Sequence, residues 1–418
     1  MFKYQSRIKI YLTKFFFIKF FFNLIFSRIV NNKKTVNKLE KYLSNLYNTK
    51  YSNFIGQCRE GIYWSIKFII EKTGKNEVII SPYTLFYVIN MIINAGGKPV
   101  FVDLKYKSLE INPNLIEEKI NKNTSSILLT NLSGVNSDID YIKDLATKKG
   151  IYLIEDMAVS LGSSLNYKNK YRLYGDIGVL SFHAMKNIQC LNGGALIYSN
   201  NDFNNWLNAN IFNLKEQSKI FLFKRLLYIF TVNFFTNTKI INFYFFRLIR
   251  FAYLNNKKEI LKFIRPDHEP YLQDVFPPYY FKKITMTQAK FVLNQLENLE
   301  INNEKRKKNA YIYRKNLSKI KEVTILDDQN FAYKNHLEFH ILCKNRDKLF
   351  VFLLNKNIDV RKFYYRNCSS LEIYKKFATK CTNADNIENL IITLPCYPSY
   401  SKFNIYKILN ALKEFYEK

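Results

Sequence analysis

Apolar residues recur at helical spacing over residues 35–51, where Val36, Leu39, Leu43, Leu46 and Tyr47 mark one face, and this spacing predicts a short amphipathic helix. Residues 62–71 predict a second one. The pattern then changes: Glu77-Val78-Ile79-Ile80-Ser81 is a continuous apolar run halted by Pro82, which marks a buried strand. A helical run over 84–94 follows, and Gly96-Gly97 closes it. Further strands are predicted at 99–103, 125–130, 151–154 and 177–180, with another helix at 138–149. Short, continuously apolar strands alternating with helices predict an α/β fold, a mainly parallel sheet sandwiched by helices.

At 418 residues and 48% hydrophobic content, the chain can bury a large core and a smaller second one. Cys58, Cys190, Cys343, Cys368, Cys381 and Cys396 form no CxxC pair, so free buried thiols in a reducing cytoplasm are expected rather than disulfides or zinc. His183, His268, His336 and His340 are too dispersed for a cluster, and no metal is expected. The net charge of +30 points to a polyanionic partner or to general lysine drift. Nucleic acid is not the expected partner, because no helix-turn-helix, zinc or RNA-binding signature accompanies the charge.

Two stretches stand apart because they contain no acidic residue. In residues 1–30, Lys3, Arg7, Lys9, Lys14, Lys19 and Arg28 interrupt Phe15-Phe16-Phe17-Ile18 and Phe20-Phe21-Phe22. In 217–256, Lys219, Lys224, Arg225, Lys239, Arg247 and Arg250 punctuate two more aromatic runs. Neither has the roughly 20 uninterrupted apolar residues needed to cross a bilayer. Both read as lying on an anionic membrane surface, with basic side chains at the headgroups and rings at the acyl boundary. The alternative is that they pack on the body of the protein as an ordinary helical subdomain.

Candidate chemistry falls at the carboxyl ends of predicted strands, where open α/β sheets hold their ligands. Glu155-Asp156 follows the strand at 151–154; Ser181-Phe182-His183 follows 177–180, and Lys186 lies three residues beyond. A lysine beside a carboxylate is what pyridoxal phosphate requires: the amine captures the cofactor aldehyde as a Schiff base and later moves a proton, while the carboxylate keeps the pyridine nitrogen protonated. An ordinary salt bridge uses the same two residues.

The runs that carry these groups decide between the two readings. Ile154-Glu155-Asp156-Met157-Ala158, Gly175-Asp176-Ile177-Gly178-Val179-Leu180-Ser181-Phe182-His183-Ala184-Met185-Lys186-Asn187 and Gly193-Gly194-Ala195-Leu196 resemble the signature of the DegT/DnrJ/EryC1/StrS nucleotide-sugar aminotransferases. Asn76 to Thr84, Ala95 to Asp103, Asn345 to Leu349 and Leu394 to Ser399 match in the family's order, so the resemblance spans about 35–215 and 284–418. It implies a pyridoxal-phosphate-dependent, fold-type I large domain with a smaller C-terminal α+β domain, working as a homodimer. The expected division is an arm at 1–34, the large domain at 35–216, a basic aromatic helical insert at 217–282 and the small domain at 283–418.

By the same resemblance, Lys186 is the Schiff-base lysine and Asp156 holds the pyridine nitrogen. Ser181 and the turn Cys58-Arg59-Glu60 bind the cofactor phosphate, and His183 lines the pocket or braces the strand end. The implied substrates are a nucleotide-linked keto-sugar and an amino donor, with glutamate as the family's usual donor; the free thiols and the two basic aromatic stretches place the chain in the cytoplasm, with docking on the inner membrane face as the expectation for those stretches. Three positions depart from the pattern. Val159 stands where the family has a glutamine that meets the cofactor hydroxyl, and Leu85 where an aromatic often stacks on the ring, with Phe86 one step on; the family's Asn-x-Arg is not recognisable around 281–283. These departures leave a catalytically weak binding or scaffold protein as the alternative. Relatives that dehydrate sugars carry histidine at the lysine position, whereas this chain has Lys186.

Overall fold

The computed structural model describes residues 5–7, 9–10, 18, 20–22, 33–165, 171–241, 245–257, 259–261, 269–327, 329, 331–362 and 365–417. The run Phe15-Phe16-Phe17, Phe243, and the basic residues Lys3, Lys14, Lys19 and Arg28 lie outside the described residues, as does His268.

Seven strands form the large sheet: β1 (Tyr51–Ile55), β2 (Glu77–Ile80), β4 (Lys98–Phe101), β5 (Thr124–Thr130), β6 (Tyr152–Asp156), β7 (Ile177–Ser181) and β8 (Gly194–Tyr198). Their spatial order is β1-β8-β7-β6-β5-β2-β4. β4, β2, β5, β6 and β7 pair in parallel, and β8 runs antiparallel to both of its neighbours. The central strands are buried almost throughout, β7 and β8 along their whole length, which is why they read as continuous apolar runs. This is the mainly parallel, helix-covered sheet the pattern predicts.

Helices α1 (Lys33–Tyr47), α2 (Cys58–Thr73), α3 (Phe86–Asn94), α4 (Pro113–Lys119), α5 (Ile139–Lys149) and α6 (Asn201–Ile211) cover the sheet. Leu39 and Leu43 of α1 are fully buried, as the spacing requires. Helix α2 starts four residues earlier than its apolar spacing suggests and carries Gly61 inside it. A Cβ there would lie 2.7 Å from Val179 Cγ1, so the absent side chain lets α2 lie directly on β7. Intrinsic propensity argues against a helical glycine; packing overrides it.

A two-residue strand β3 (Tyr83–Thr84) follows Pro82 and pairs with β11 (Arg366–Asn367), so Thr84 lies outside α3. Strands β9 (Val323–Ile325), β10 (Phe339–Cys343) and β12 (Ile391–Leu394) make a smaller antiparallel sheet. Five more helices follow, α9 (Met286–Leu296), α10 (Leu299–Leu317), α11 (Arg346–Asn355), α12 (Thr382–Leu390) and α13 (Lys402–Tyr416), and the smaller sheet shares a core with Tyr313 of α10, Leu353 of α11, and Ile408 and Leu412 of α13.

The basic aromatic stretches dock by one face. In α7 (Lys219–Phe235), Leu222, Leu226 and Ile229 are buried in a cluster that also holds Ile10, Phe20 and Phe291. In α8 (Phe246–Leu254), Phe246, Ile249 and Ala252 are buried, Phe246 within the core of the smaller sheet, and Tyr253 meets Phe350 of α11 at 5.2 Å between ring centroids. The opposite face of α7 leaves Ile220, Phe223, Leu227, Phe230 and Phe234 exposed. Packing on the enzyme body is therefore real, and a second, apolar and basic face remains open. Among the described residues, no helix is long and apolar enough to cross a membrane.

Candidate active site

Strand alternation separates the two acids at the end of β6, which lie inside the strand rather than after it. Glu155 accepts from the backbone N–H groups of Tyr174 and Gly175 at 2.7 Å and from Asn131 Nδ2 at 3.1 Å, and so closes the turn into β7. Asp156 faces the other way. Its Oδ1 accepts from Ala158 N at 3.0 Å and lies 4.0 Å from Cys58 Sγ. Burial raises its pKa, with Lys186 and the Ala158 N–H opposing the rise.

Ser181 is the last residue of β7, and Lys186 sits on the loop beyond it. That loop is held at several points. Phe182 N donates to Gly193 O at 2.9 Å, Cys190 N to Phe182 O at 2.9 Å, and Asn187 Nδ2 to Leu161 O at 3.0 Å. Ile188 is buried beneath it. Burial lowers the pKa of Lys186, while Cys58, Glu338 and Asp156 act in the opposite direction. Desolvation thus favours the neutral, nucleophilic amine.

A cavity of about 550 Å³ opens over this lysine. Of the nine residues singled out from sequence, Arg59, Leu85, Val159, His183 and Lys186 line it. Asp156, Ser181, Cys58 and Glu60 stand behind that lining; Asp156, Ser181 and Glu60 are buried. Cys58 and Asp156 still act on the lysine charge, so the group is brought together electrostatically even where a side chain does not face the cavity. Cys58, Arg59 and Glu60 form the first turn of α2 rather than a turn before it. The helix lacks a side-chain cap, which leaves its first N–H groups open to an anion. Gly194 packs on this turn: a Cβ would lie 2.5 Å from Cys58 N.

The roles differ within that turn. Burial pushes the Glu60 carboxyl up to about 8, so Glu60 is largely neutral at pH 7 and carries no charge to a ligand. Arg59 donates to the Tyr280 hydroxyl at 2.8 Å and lies 4.3 Å from the centroid of the Tyr87 ring. Of the two aromatics that follow Leu85, Tyr87 lines the cavity, whereas Phe86 is buried against Tyr271 at 5.4 Å between ring centroids. The two rings lie against each other, 4.0 Å between centroids, and both meet Tyr271, so Phe86 backs the ring that faces the cavity.

Other cavity residues carry no local signature. Glu338 lies just before β10 and pairs with Arg361 at 2.6 Å. Burial alone would raise its pKa, but Arg361, His340 and Lys186 outweigh burial and lower it. Arg225 of α7 donates to His183 Nε2 at 2.8 Å, so that nitrogen is the acceptor and the neutral ring carries its proton on Nδ1. Burial, Arg225, Lys186 and Arg59 together hold the His183 pKa well below its ordinary value. Arg7, Lys9 and Ile10 of the N-terminal arm and Phe221 and Tyr228 of α7 complete this side.

The donor set fits a phosphate-bearing aldehyde. A desolvated amine, a buried carboxylate, a strand-end hydroxyl and an uncapped helix N-terminus lie together, and the Nε2 of buried Gln57, at the cavity edge, has no hydrogen-bond partner. Among the described residues there is no group of three or more potential metal ligands.

Comparison with known proteins adds a family, two relatives and a solved structure. A profile of the DegT/DnrJ/EryC1/StrS aminotransferase family matches residues 20–217 and 265–413. The chain is similar to the GDP-perosamine synthase of Vibrio cholerae, 23% identical over 92% of this chain and 91% of that one. It is also similar to the dTDP-4-amino-4,6-dideoxy-D-glucose transaminase of Shigella dysenteriae, 27% identical over 93% and 92%. In fold it resembles PseC of Helicobacter pylori, an aminotransferase involved in pseudaminic acid biosynthesis, with a TM-score of 0.72 over 99% of both chains at 17% identity.

Proposed function

The chain belongs to the DegT/DnrJ/EryC1/StrS aminotransferase family, and on that premise we propose that it uses pyridoxal phosphate to move an amino group from glutamate to the keto carbon of a nucleotide-linked sugar. The observation that carries the reading is the desolvated Lys186 at a cavity floor, within electrostatic reach of the buried Asp156 at the end of the neighbouring strand. The two similar proteins named for GDP- and dTDP-linked amino-sugars support the substrate class.

Bound there, the cofactor supplies an electron-accepting ring that makes a Cα–H bond acidic. Lys186 would hold it covalently in the resting protein and, when its amine is free, would carry the proton at Nζ in both half-reactions. Asp156 keeps the ring nitrogen protonated from within the sheet. Ser181 and the first turn of α2 receive the phosphate, and His183 is a neutral wall of the site. The protein works as a homodimer in the cytoplasm. The division at 34/35, 216/217 and 282/283 belongs to the same proposal.

The open face of α7 carries five exposed apolar side chains in a stretch with no acidic residue, which suits an anionic lipid surface. Sedimentation with anionic liposomes tests it. Full-length protein should bind more than a variant with Phe223, Leu227 and Phe230 changed to Ser, and equal binding rejects it.

The reaction is tested by incubating the protein with glutamate and a panel of 3-keto and 4-keto nucleotide sugars, followed by mass spectrometry. A shift matching ketone-to-amine exchange is expected in one member. If no member shifts while the protein binds the cofactor, the binding or scaffold reading takes its place, which the hydrocarbon of Val159 and Leu85 in the cavity wall favours.

A further inference from the structure

Arg225 lies between the two matched segments, 20–217 and 265–413, so the family pattern assigns it no role. Its guanidinium faces the same cavity as Lys186. Among the described residues the partners of this group are all neutral: His183 Nε2 at 2.8 Å, Leu191 O at 3.3 Å and the Tyr228 ring, while its Nε is buried without an acceptor. Arg59 is in the same condition, held by the Tyr280 hydroxyl and the faces of Tyr87 and Tyr280. The carboxyl nearest to Arg59 in sequence, Glu60, feels the Arg59 charge, but burial still holds it up at about 8, so at neutral pH it offsets Arg59 only in part. Both guanidiniums act on His183 together with Lys186.

Two partly buried guanidiniums without a fully charged carboxylate are costly unless an anion joins them. The rest of the surroundings are built for one. The loop that accepts from Arg225 at Leu191 continues through Asn192, whose Nδ2 donates to Gly56 O at 3.2 Å, and so abuts the uncapped start of α2. At that start, Gln57 is only 6% exposed and its Nε2 has no partner. Resting on the function proposed above, we propose that Arg225 and Arg59, with the Gln57 amide and the open N–H groups of α2, form a receptor for a phosphate group, one guanidinium of which is supplied within the same chain by α7. The phosphate belongs either to pyridoxal phosphate or to the diphosphate of the nucleotide-linked substrate.

The test compares wild type, Arg225→Ala, Arg225→Lys and Lys224→Ala, the last an exposed neighbour that does not line the cavity. Dissociation constants are measured for pyridoxal phosphate, for pyridoxal, and, on cofactor-loaded protein, for UDP, GDP and dTDP. Arg225→Ala should weaken one phosphate ligand by at least about tenfold, with partial recovery in Arg225→Lys, which keeps the charge but not the fork. Lys224→Ala should match wild type. A loss for pyridoxal phosphate but not for pyridoxal assigns the receptor to the cofactor, and a loss for the nucleotides assigns it to the substrate. Affinities for all of them within twofold of wild type overturn the proposal, as does an equal loss for pyridoxal and its phosphate. Should Arg225→Ala fail to fold, Arg225→Gln, which removes the charge and keeps a donor, is read in its place. Wild type that binds phosphate ligands through Arg225 but aminates no keto-sugar rejects the reaction and leaves the receptor standing; an active enzyme indifferent to Arg225 does the reverse.

Discussion

On the sheet side of the cavity, Asp156 and Ser181 close strands that are buried almost throughout, and Lys186 sits on a loop tied at Phe182, Asn187 and Cys190. On the opposite side, Phe221, Arg225 and Tyr228 ride on a single helix that docks through Leu222, Leu226 and Ile229. The first wall is set by a cooperative core and the second by a few apolar contacts. Chemistry that tolerates no displacement belongs on the first, and recognition that varies between relatives is placed on the second.

The largest effect that sharpens this contrast is expected at Asp156. Asp156→Asn keeps shape and removes charge, so turnover should fall by about 10²- to 10³-fold with the melting temperature nearly unchanged. Activity within threefold of wild type would place the essential charge elsewhere. On the other wall, Leu226→Ala should destabilise docking of α7 by about 2–5 kcal/mol, whereas its exposed neighbour Leu227→Ala should change stability by no more than about 0.5 kcal/mol. Equal melting temperatures for the two variants would mean that α7 does not dock through that face.

A smaller gain is expected where the sheet wall departs from the family pattern. Val159 lines the cavity with hydrocarbon. Val159→Gln should therefore tighten pyridoxal phosphate binding by about 2- to 10-fold, the contribution of one hydrogen bond; unchanged affinity would show that the cofactor hydroxyl is satisfied by another group. The smallest effect is on pH dependence. Because burial lowers the Lys186 pKa, the neutral amine forms at lower pH than in free lysine. The rate of cofactor capture should rise with pH and level off below the ordinary lysine value of about 10.4. A rise that continues through that value contradicts a desolvated lysine.

The two walls also differ in how well they could be read from the chain. The sheet wall was legible because a buried strand followed by a polar end is a local pattern, and Asp156, Ser181 and Lys186 each sit at such an end. Boundaries slipped where tertiary packing outweighed local preference. Helix α2 begins at Cys58 because Gly61, a poor helix former, is what allows it to touch β7. Tyr87 gave no local signal, because its ring meets Arg59 only where the fold brings α2 and α3 together. Arg225 read as one basic residue among six in an aromatic stretch, and only the docking of α7 turns it toward His183. Glu338 was silent too: its pairing with Arg361 and its effect on Lys186 arise from the smaller sheet meeting the large one.

The central claim is that Lys186 is the covalent carrier. Protein loaded with pyridoxal phosphate should show a visible absorption band, and borohydride reduction followed by peptide mass spectrometry should find the phosphopyridoxyl group on the peptide that contains Lys186, with band and label both absent in Lys186→Ala. A label on any other lysine, or a band that survives in Lys186→Ala, would contradict the account.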